Sequence, residues 1–234
     1  KDNYDNIARH SDAEIIVNTT PVGMFPKTDD SPLKLDIFKK LEAVIDIIYN
    51  PRRTVLLSQA ESMGVRNVNG LLMLVAQAAG SALRFGGYTP SDAEIENALH
   101  LVEGECTPIV LVGMPGSGKS TAGRLLAEKT GREFIDTDDL VVNRVGMSIP
   151  EYFSKYGEAR FRDEESAALA EALKTPKSVI ATGGGIILRE ENRRMIRTSS
   201  YTVQLIRPCE KLQTHGRPLS TGPERLLQME KERT

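Results

Sequence analysis

Apolar residues in this chain gather in short continuous runs closed by turn formers. Glu14-Ile-Ile-Val-Asn18 and Ala43-Val-Ile-Asp-Ile-Ile48 read as strands. Runs of this kind suit a parallel sheet covered on both faces. Thr54 to Met63 and Leu71 to Phe85 read as helices, the second stopped by Gly86-Gly87. The apolar stretch 70–80 is too short to span a bilayer and carries Gln77, which predicts a core helix. From Tyr88 to Thr107 the pattern turns polar. Thr89-Pro-Ser-Asp92 opens a short capped helix that closes at Gly104-Glu-Cys-Thr-Pro108, and residues 89–107 are expected to link two domains, 1–88 and 108–234.

After Pro108 strands and helices alternate. Strands are expected at 109–112, 133–135, 178–181 and 202–205, and helices at 120–129, 149–156 and 162–173. This order predicts a second parallel α/β unit.

Composition narrows the function classes. The 234 residues are 40% apolar and 26% charged, enough to bury a sizeable core in one or two domains. A net charge of -2 gives no long-range pull on nucleic acid or anionic lipid, so neither nucleic-acid nor membrane partners are expected. Arg189, Arg193, Arg194 and Arg197 read as a solvated helix face. Cys106 and Cys209 form no CxxC, and His10, His100 and His215 are scattered. A reducing, cytoplasmic compartment is therefore expected, without a cysteine or histidine metal centre. No signal-peptide pattern follows Lys1, and the chain reads as trimmed or as a piece of something longer.

The chemistry concentrates in Gly113-Met-Pro-Gly-Ser-Gly-Lys-Ser-Thr121, which leaves a predicted strand and enters a predicted helix. Gly113, four residues, then Gly118-Lys119-Ser120 is the phosphate-loop pattern in its required context. Backbone amides of Gly116, Ser117, Gly118 and Thr121, with the helix N-terminus, would cradle an anion. Lys119 would reach the β- and γ-phosphates of ATP, and the Ser120 hydroxyl would ligate Mg2+.

Three further stretches address the acceptor. In Phe134-Ile-Asp-Thr-Asp-Asp139, Asp136 could hold magnesium through water and Asp138 could orient and deprotonate a hydroxyl. The same aspartates also suit a helix N-cap cluster. Arg162 could bind an acidic substrate while Glu165, three positions on, holds it in place; a surface ion pair is the commoner use of that spacing. Gly183, Gly184 and Gly185 follow a strand, which suits a ligand lying against bare backbone or a tight turn.

Taken together, GMPGSGKST, FIDTDD, FRDEE, ATGGGI and HGRPLS resemble shikimate kinase in order and approximate spacing, from about Pro108 to the last residue. The resemblance implies a three-layer α/β/α P-loop kinase that is monomeric and moves the γ-phosphoryl of MgATP onto the 3-hydroxyl of shikimate. It implies that Asp138, Arg162, Gly184 and Arg233 contact shikimate, with Gly183 and Gly185 alongside. Arg217 would be the lid arginine that meets the transferring phosphoryl group, and Lys211 is a weak candidate for a second lid cation. Two alternatives stay open: a gluconate-type small-acid kinase, and an inactive nucleotide-binding fragment.

Residues 5–87 carry a second resemblance. AEIIVNTTPVGMFP, VIDIIYNPRRTVLL and NVNGLLMLVAQAAGSALRFGG are similar, in order, to the carboxyl-terminal portion of shikimate dehydrogenase, part of a Rossmann-like dinucleotide-binding domain. It implies that Tyr49 and Gln77 touch shikimate and that Thr20 and Gly70 lie near the nicotinamide. A satisfied polar residue inside an apolar helix is the other reading of Gln77. The catalytic lysine, the aspartate and the glycine loop for NADP belong upstream of Lys1 in that family. Dehydrogenase activity is therefore expected of an intact parent rather than of this chain alone.

Overall fold

The computed structural model describes residues 2–208. Cys209, Lys211, His215, Arg217 and Arg233 lie outside the described residues. The chain divides between Gly104 and Glu105 into two compact units, each built on a parallel sheet.

In the first unit β1 (Ile15–Asn18), β2 (Ala43–Asp46) and β3 (Arg66–Val68) pair in parallel in the order β1-β2-β3. Helix α1 (Val55–Ser62) begins at Thr54, whose hydroxyl accepts from the Leu57 amide. Its buried Leu56, Leu57 and Ala60 pack with Val44 of β2 and with Leu35 and Phe38. Strand β3 was not foreseen, because Arg66-Asn67-Val68 has neither an apolar run nor alternation.

Two expectations fail in this unit. Only one face of the sheet is covered among the described residues: Ile15, Val17, Ile45 and Val68, which share the other face through the pairing register, are exposed. Helix α2 (Leu71–Gly86) is not a core helix. It buries only Leu71 and Val75, one turn apart, and leaves Leu72, Met73, Leu74 and Leu83 exposed. Apolar composition all round a helix gives burial only where a matching surface receives it, and here that surface is one narrow stripe.

Helix α3 (Asp92–Cys106) crosses the division between the units. The second unit holds β4 (Ile109–Gly113), α4 (Lys119–Thr130), β5 (Glu133–Asp136), α5 (Thr137–Val145), α6 (Ile149–Ala172), β6 (Ser178–Ala181), α7 (Glu190–Ser199) and β7 (Tyr201–Leu205). Its strands are all parallel in the order β5-β6-β4-β7. Side chains of successive strand residues point to opposite faces. Val110, Val112 and Ile180 accordingly pack with Leu169, Ala172, Ile186 and Ile196 on one face. Leu111 and Val179 pack with Ala127 of α4 on the other. Burial on both faces explains the unbroken apolar run of β4.

Helix α6 starts from a full capping box: the Ser148 hydroxyl accepts from the Glu151 amide, and the Glu151 carboxylate accepts from the Ser148 amide. Gly157 breaks this helix, with φ 79° and ψ 174°. Helix α5 was not among the predicted helices, although the aspartates suited an N-cap, because only Leu140, Val141, Val142 and Val145 mark its apolar positions.

With β4 in the middle, the loops after β4, β5, β6 and β7 all open at the same carboxyl edge of the sheet. Ligands of open parallel sheets bind at that edge. Leu169, fully buried between α6 and the sheet, tests this core. Leu169→Ala is expected to cost about 3 kcal/mol in urea unfolding; a loss below about 1 kcal/mol would contradict the packing described.

Candidate active site

The glycine loop turns tightly between β4 and α4. The Ser117 amide donates to Met114 O at 3.1 Å, and Gly116 and Gly118 have φ of 78° and 96°, which only glycine adopts at little cost. Gly118 is the residue from which α4 starts, so the first amides of that helix face the loop. Lys119 is buried, and its ammonium donates to Gly113 O at 2.8 Å and Met114 O at 2.9 Å. The Ser117 hydroxyl oxygen is buried without a hydrogen-bond partner in the structure. An orphaned hydroxyl beside a buried ammonium and a helix N-terminus is a cradle suited to an anion.

Asp136 is the N-cap that the sequence allowed, and it also ties to the phosphate loop. One carboxylate oxygen caps α5, accepting from the Asp138 amide at 3.1 Å, and the other accepts from the Ser120 hydroxyl at 2.7 Å. The N-cap and the tie to the phosphate loop are thus one residue. Among the described residues no cluster of three or more His, Cys, Asp or Glu forms a metal site. Ser120 and Asp136 are hard oxygen donors at the mouth of the anion cradle, and a cation carried in on phosphate oxygens and water needs little more from the protein.

The pair on α6 is not a surface ion pair. Arg162 is 8% exposed and Glu165 1%. Nη1 of Arg162 donates to Glu165 at 2.7 Å, and Nη2 donates to Glu158 at 2.9 Å. Burial by itself would lower the guanidinium pKa, but the charge and hydrogen bond of Glu165, helped by Glu158, hold it above its ordinary value. Arg162 is therefore a fixed cation at every working pH.

The glycine turn after β6 joins this pair to the phosphate loop. A Cβ on Gly183 would lie 2.5 Å from Glu165 Oε1 and 2.8 Å from Asp138 Oδ1, and one on Gly184 would lie 2.5 Å from Pro115 Cγ. A Cβ on Gly185 would overlap the Arg162 guanidinium. Pro115 thus excludes a side chain at Gly184, and one at Gly183 or Gly185 would have to displace the side-chain ends of Glu165, Asp138 or Arg162. The Gly183 amide also donates to the Thr137 hydroxyl at 3.1 Å. A cavity of about 480 Å³ gathers the loop residues Gly116 to Thr121 with Asp136, Asp138 and Gly184. Arg162 and Glu165 stand behind the glycine turn and do not line that cavity.

The same cavity is lined by Thr182, after β6, and by Arg207, after β7. Sequence reasoning missed both. Ile206-Arg207-Pro208 has no motif, and its only signal was its place just past a predicted strand.

In the first unit Thr20 and Tyr49 line one cavity of about 350 Å³ with Met24, Phe25 and Ile48. The Thr20 hydroxyl donates to Asn18 Oδ1 at 2.7 Å, and Asn18 donates to the fully buried Asp46 at 3.0 Å. Gly70 packs against the Ile47 backbone behind that cavity, where a Cβ would collide. Gln77 is exposed on α2, does not line the cavity, and so is not the buried polar residue that the sequence also allowed.

A family model for shikimate kinase matches residues 115–234. The chain belongs to the shikimate kinase family. The shikimate kinase of Symbiobacterium thermophilum is 44% identical over 125 residues, covering 50% of this chain and 72% of that protein. The solved structure of shikimate kinase from Acinetobacter baumannii in complex with shikimate is 36% identical, covers 56% of this chain and 78% of that one, and superposes with a TM-score of 0.53. A chorismate mutase/shikimate 5-dehydrogenase fusion protein from Clostridium acetobutylicum is 34% identical, covering 43% of this chain and 36% of that one, with a TM-score of 0.40. The activity of the shikimate kinase family is ATP-dependent phosphorylation, and this chain is an enzyme of that class. Among the described residues no helix is long and apolar enough to cross a membrane.

The glycine contacts give a direct test. Gly185→Ala drives a methyl group into the Arg162 guanidinium, and misplacement of a binding group by about 1 Å can cost about a hundredfold. Steady-state kinetics should show kcat/KM for shikimate falling on that order with KM for MgATP little changed. An unaltered kcat/KM for shikimate would separate the glycine turn from substrate binding.

Proposed function

We propose that the second unit, residues 108–234, transfers the γ-phosphoryl group of MgATP to the 3-hydroxyl of shikimate. The observation that carries this reading is the wedge of Gly183 to Gly185 between Pro115 of the phosphate loop and the buried Arg162–Glu165 pair, with Asp138 on the cavity side. It sets an acid-binding head and a phosphate cradle on either side of one short glycine turn.

Residue roles follow from charge and position. Amides of Gly116 to Thr121 hold the phosphates, and Lys119 moves its ammonium from the loop carbonyls toward phosphate oxygens. Magnesium, when bound, neutralises charge on the β- and γ-phosphates; Ser120 and Asp136 would hold it, Asp136 through water. Asp138 takes the proton of the attacking hydroxyl. Arg162 binds the substrate carboxylate as a planar fork, and Glu165 keeps that fork charged and oriented. Arg217 and Arg233, outside the described residues, keep the roles that the family resemblance implies: lid cation over the transferring group and second carboxylate ligand. Shikimate is the small-molecule partner, the kinase part acts as a monomer, and the protein works in the cytoplasm.

Residues 1–88 are read as the dehydrogenase-like portion of a longer bifunctional parent, with Thr20, Tyr49 and Gly70 at the site for shikimate and NADP, while Gln77, away from their cavity, keeps only the role that the family resemblance implies. Two resemblances in tandem point to one small molecule, which supports this reading. NADP would bind only in the intact parent.

Coupled ADP release with shikimate, with gluconate and with no acceptor tests the substrate assignment; turnover with gluconate but not shikimate would overturn it. Asp138→Asn keeps shape and removes charge. It is expected to leave ATP binding intact and to lower kcat by about 10²- to 10⁴-fold, whereas Lys119→Met should weaken ATP binding as well. An unchanged rate in Asp138→Asn would remove that residue from the proton transfer.

A further inference from the structure

Two acids meet on Arg162, and they are unlike. Glu165 is buried with its partner, while the Glu158 side chain is 55% exposed. Glu158 owes its place to the break at Gly157: the second segment of α6 starts with Glu158, one turn ahead of Arg162. The Nη1 edge of the guanidinium therefore faces a buried carboxylate, and the Nη2 edge carries one that reaches water. An acid that takes the Nη2 edge must replace a carboxylate of the same charge.

Resting on the function proposed above, we infer that Glu158 sets the affinity of Arg162 for acids over uncharged analogues, as a tethered carboxylate on the Nη2 edge that the substrate carboxylate must displace. A group tethered at short range competes at an effective concentration on the order of mM. That competition weakens every carboxylate by one common factor and does not touch a ligand that brings no carboxylate. The fold loses little when this tether is removed, since a half-exposed ion pair contributes little to stability. Glu158 thus lowers the affinity of Arg162 for a carboxylate and leaves an uncharged analogue of the same shape unaffected.

The test compares the full chain with Glu158→Gln, and with Glu164→Gln, which removes an acid on the same helix that pairs with Arg144 instead. KM for shikimate and for its methyl ester is measured at saturating MgATP. For Glu158→Gln, KM for shikimate is expected to fall about threefold, the scale set by an exposed ion pair. KM for the uncharged ester should stay put, and Glu164→Gln should match the parent chain. A KM for shikimate that is unchanged or raised in Glu158→Gln, or an equal fall for the ester or in Glu164→Gln, overturns the inference. If the parent chain fails to phosphorylate shikimate at all, the proposed function falls and this inference with it. An active parent with an unresponsive Glu158→Gln sinks the inference alone.

Discussion

A guanidinium removed from water stays charged at tolerable cost only beside an equally buried counter-charge. In this chain Arg162 and Glu165 form such a pair, 2.7 Å apart, and the site is arranged around it. The pair lies where side chains at Gly183 and Gly185 would point, and Pro115 lies where one at Gly184 would, which accounts for the glycine turn after β6. Because the turn has no side chains, it also closes on Pro115 and couples the pair to the phosphate loop. The arrangement stabilises no fold by itself; well-packed apolar residues would do that as well or better. It presents a fixed positive head, hydrogen-bonded to buried Glu165 on one edge and to the half-exposed Glu158 on the other.

The sheet order supplies the second constraint. Placing β4 between β6 and β7, with β5 beyond β6, brings four strand ends to one edge. One apolar strand buried on both faces thereby positions a helix N-terminus, an ammonium and a carboxylate against each other. Asp136 shows the economy of that edge, since a single carboxylate starts α5 and holds the Ser120 hydroxyl. Neither interaction excludes the other, because each carboxylate oxygen has one partner.

The legible parts of the site were those where several residue types had to co-occur at fixed spacing beside a strand. The phosphate loop, the aspartates after β5, Arg162 with Glu165 and the glycine triplet met that condition. Spacing alone did not decide whether Arg162 and Glu165 were exposed, because burial depends on packing by α5 and the sheet. Arg207 was illegible because its only distinction is three-dimensional, a position just past a strand end at the same edge, while Thr182, inside ATGGGI, was passed over for the glycines beside it. In the first unit, Arg66-Asn67-Val68 became a strand by pairing with β2, a tertiary event without local signal. Helix α2 misled in the opposite direction: its apolar sequence was read as burial, yet among the described residues only Leu71 and Val75 find a surface to cover.

The central claim is that Arg162 reads the substrate carboxylate as a planar fork, and Arg162→Lys tests it most directly because the charge is retained while the fork is lost. Calorimetric titration with shikimate should show affinity weakened by at least about tenfold, the scale of a charge-assisted hydrogen bond, with MgATP affinity preserved. Equal shikimate affinity in Arg162→Lys and the parent chain would contradict the account.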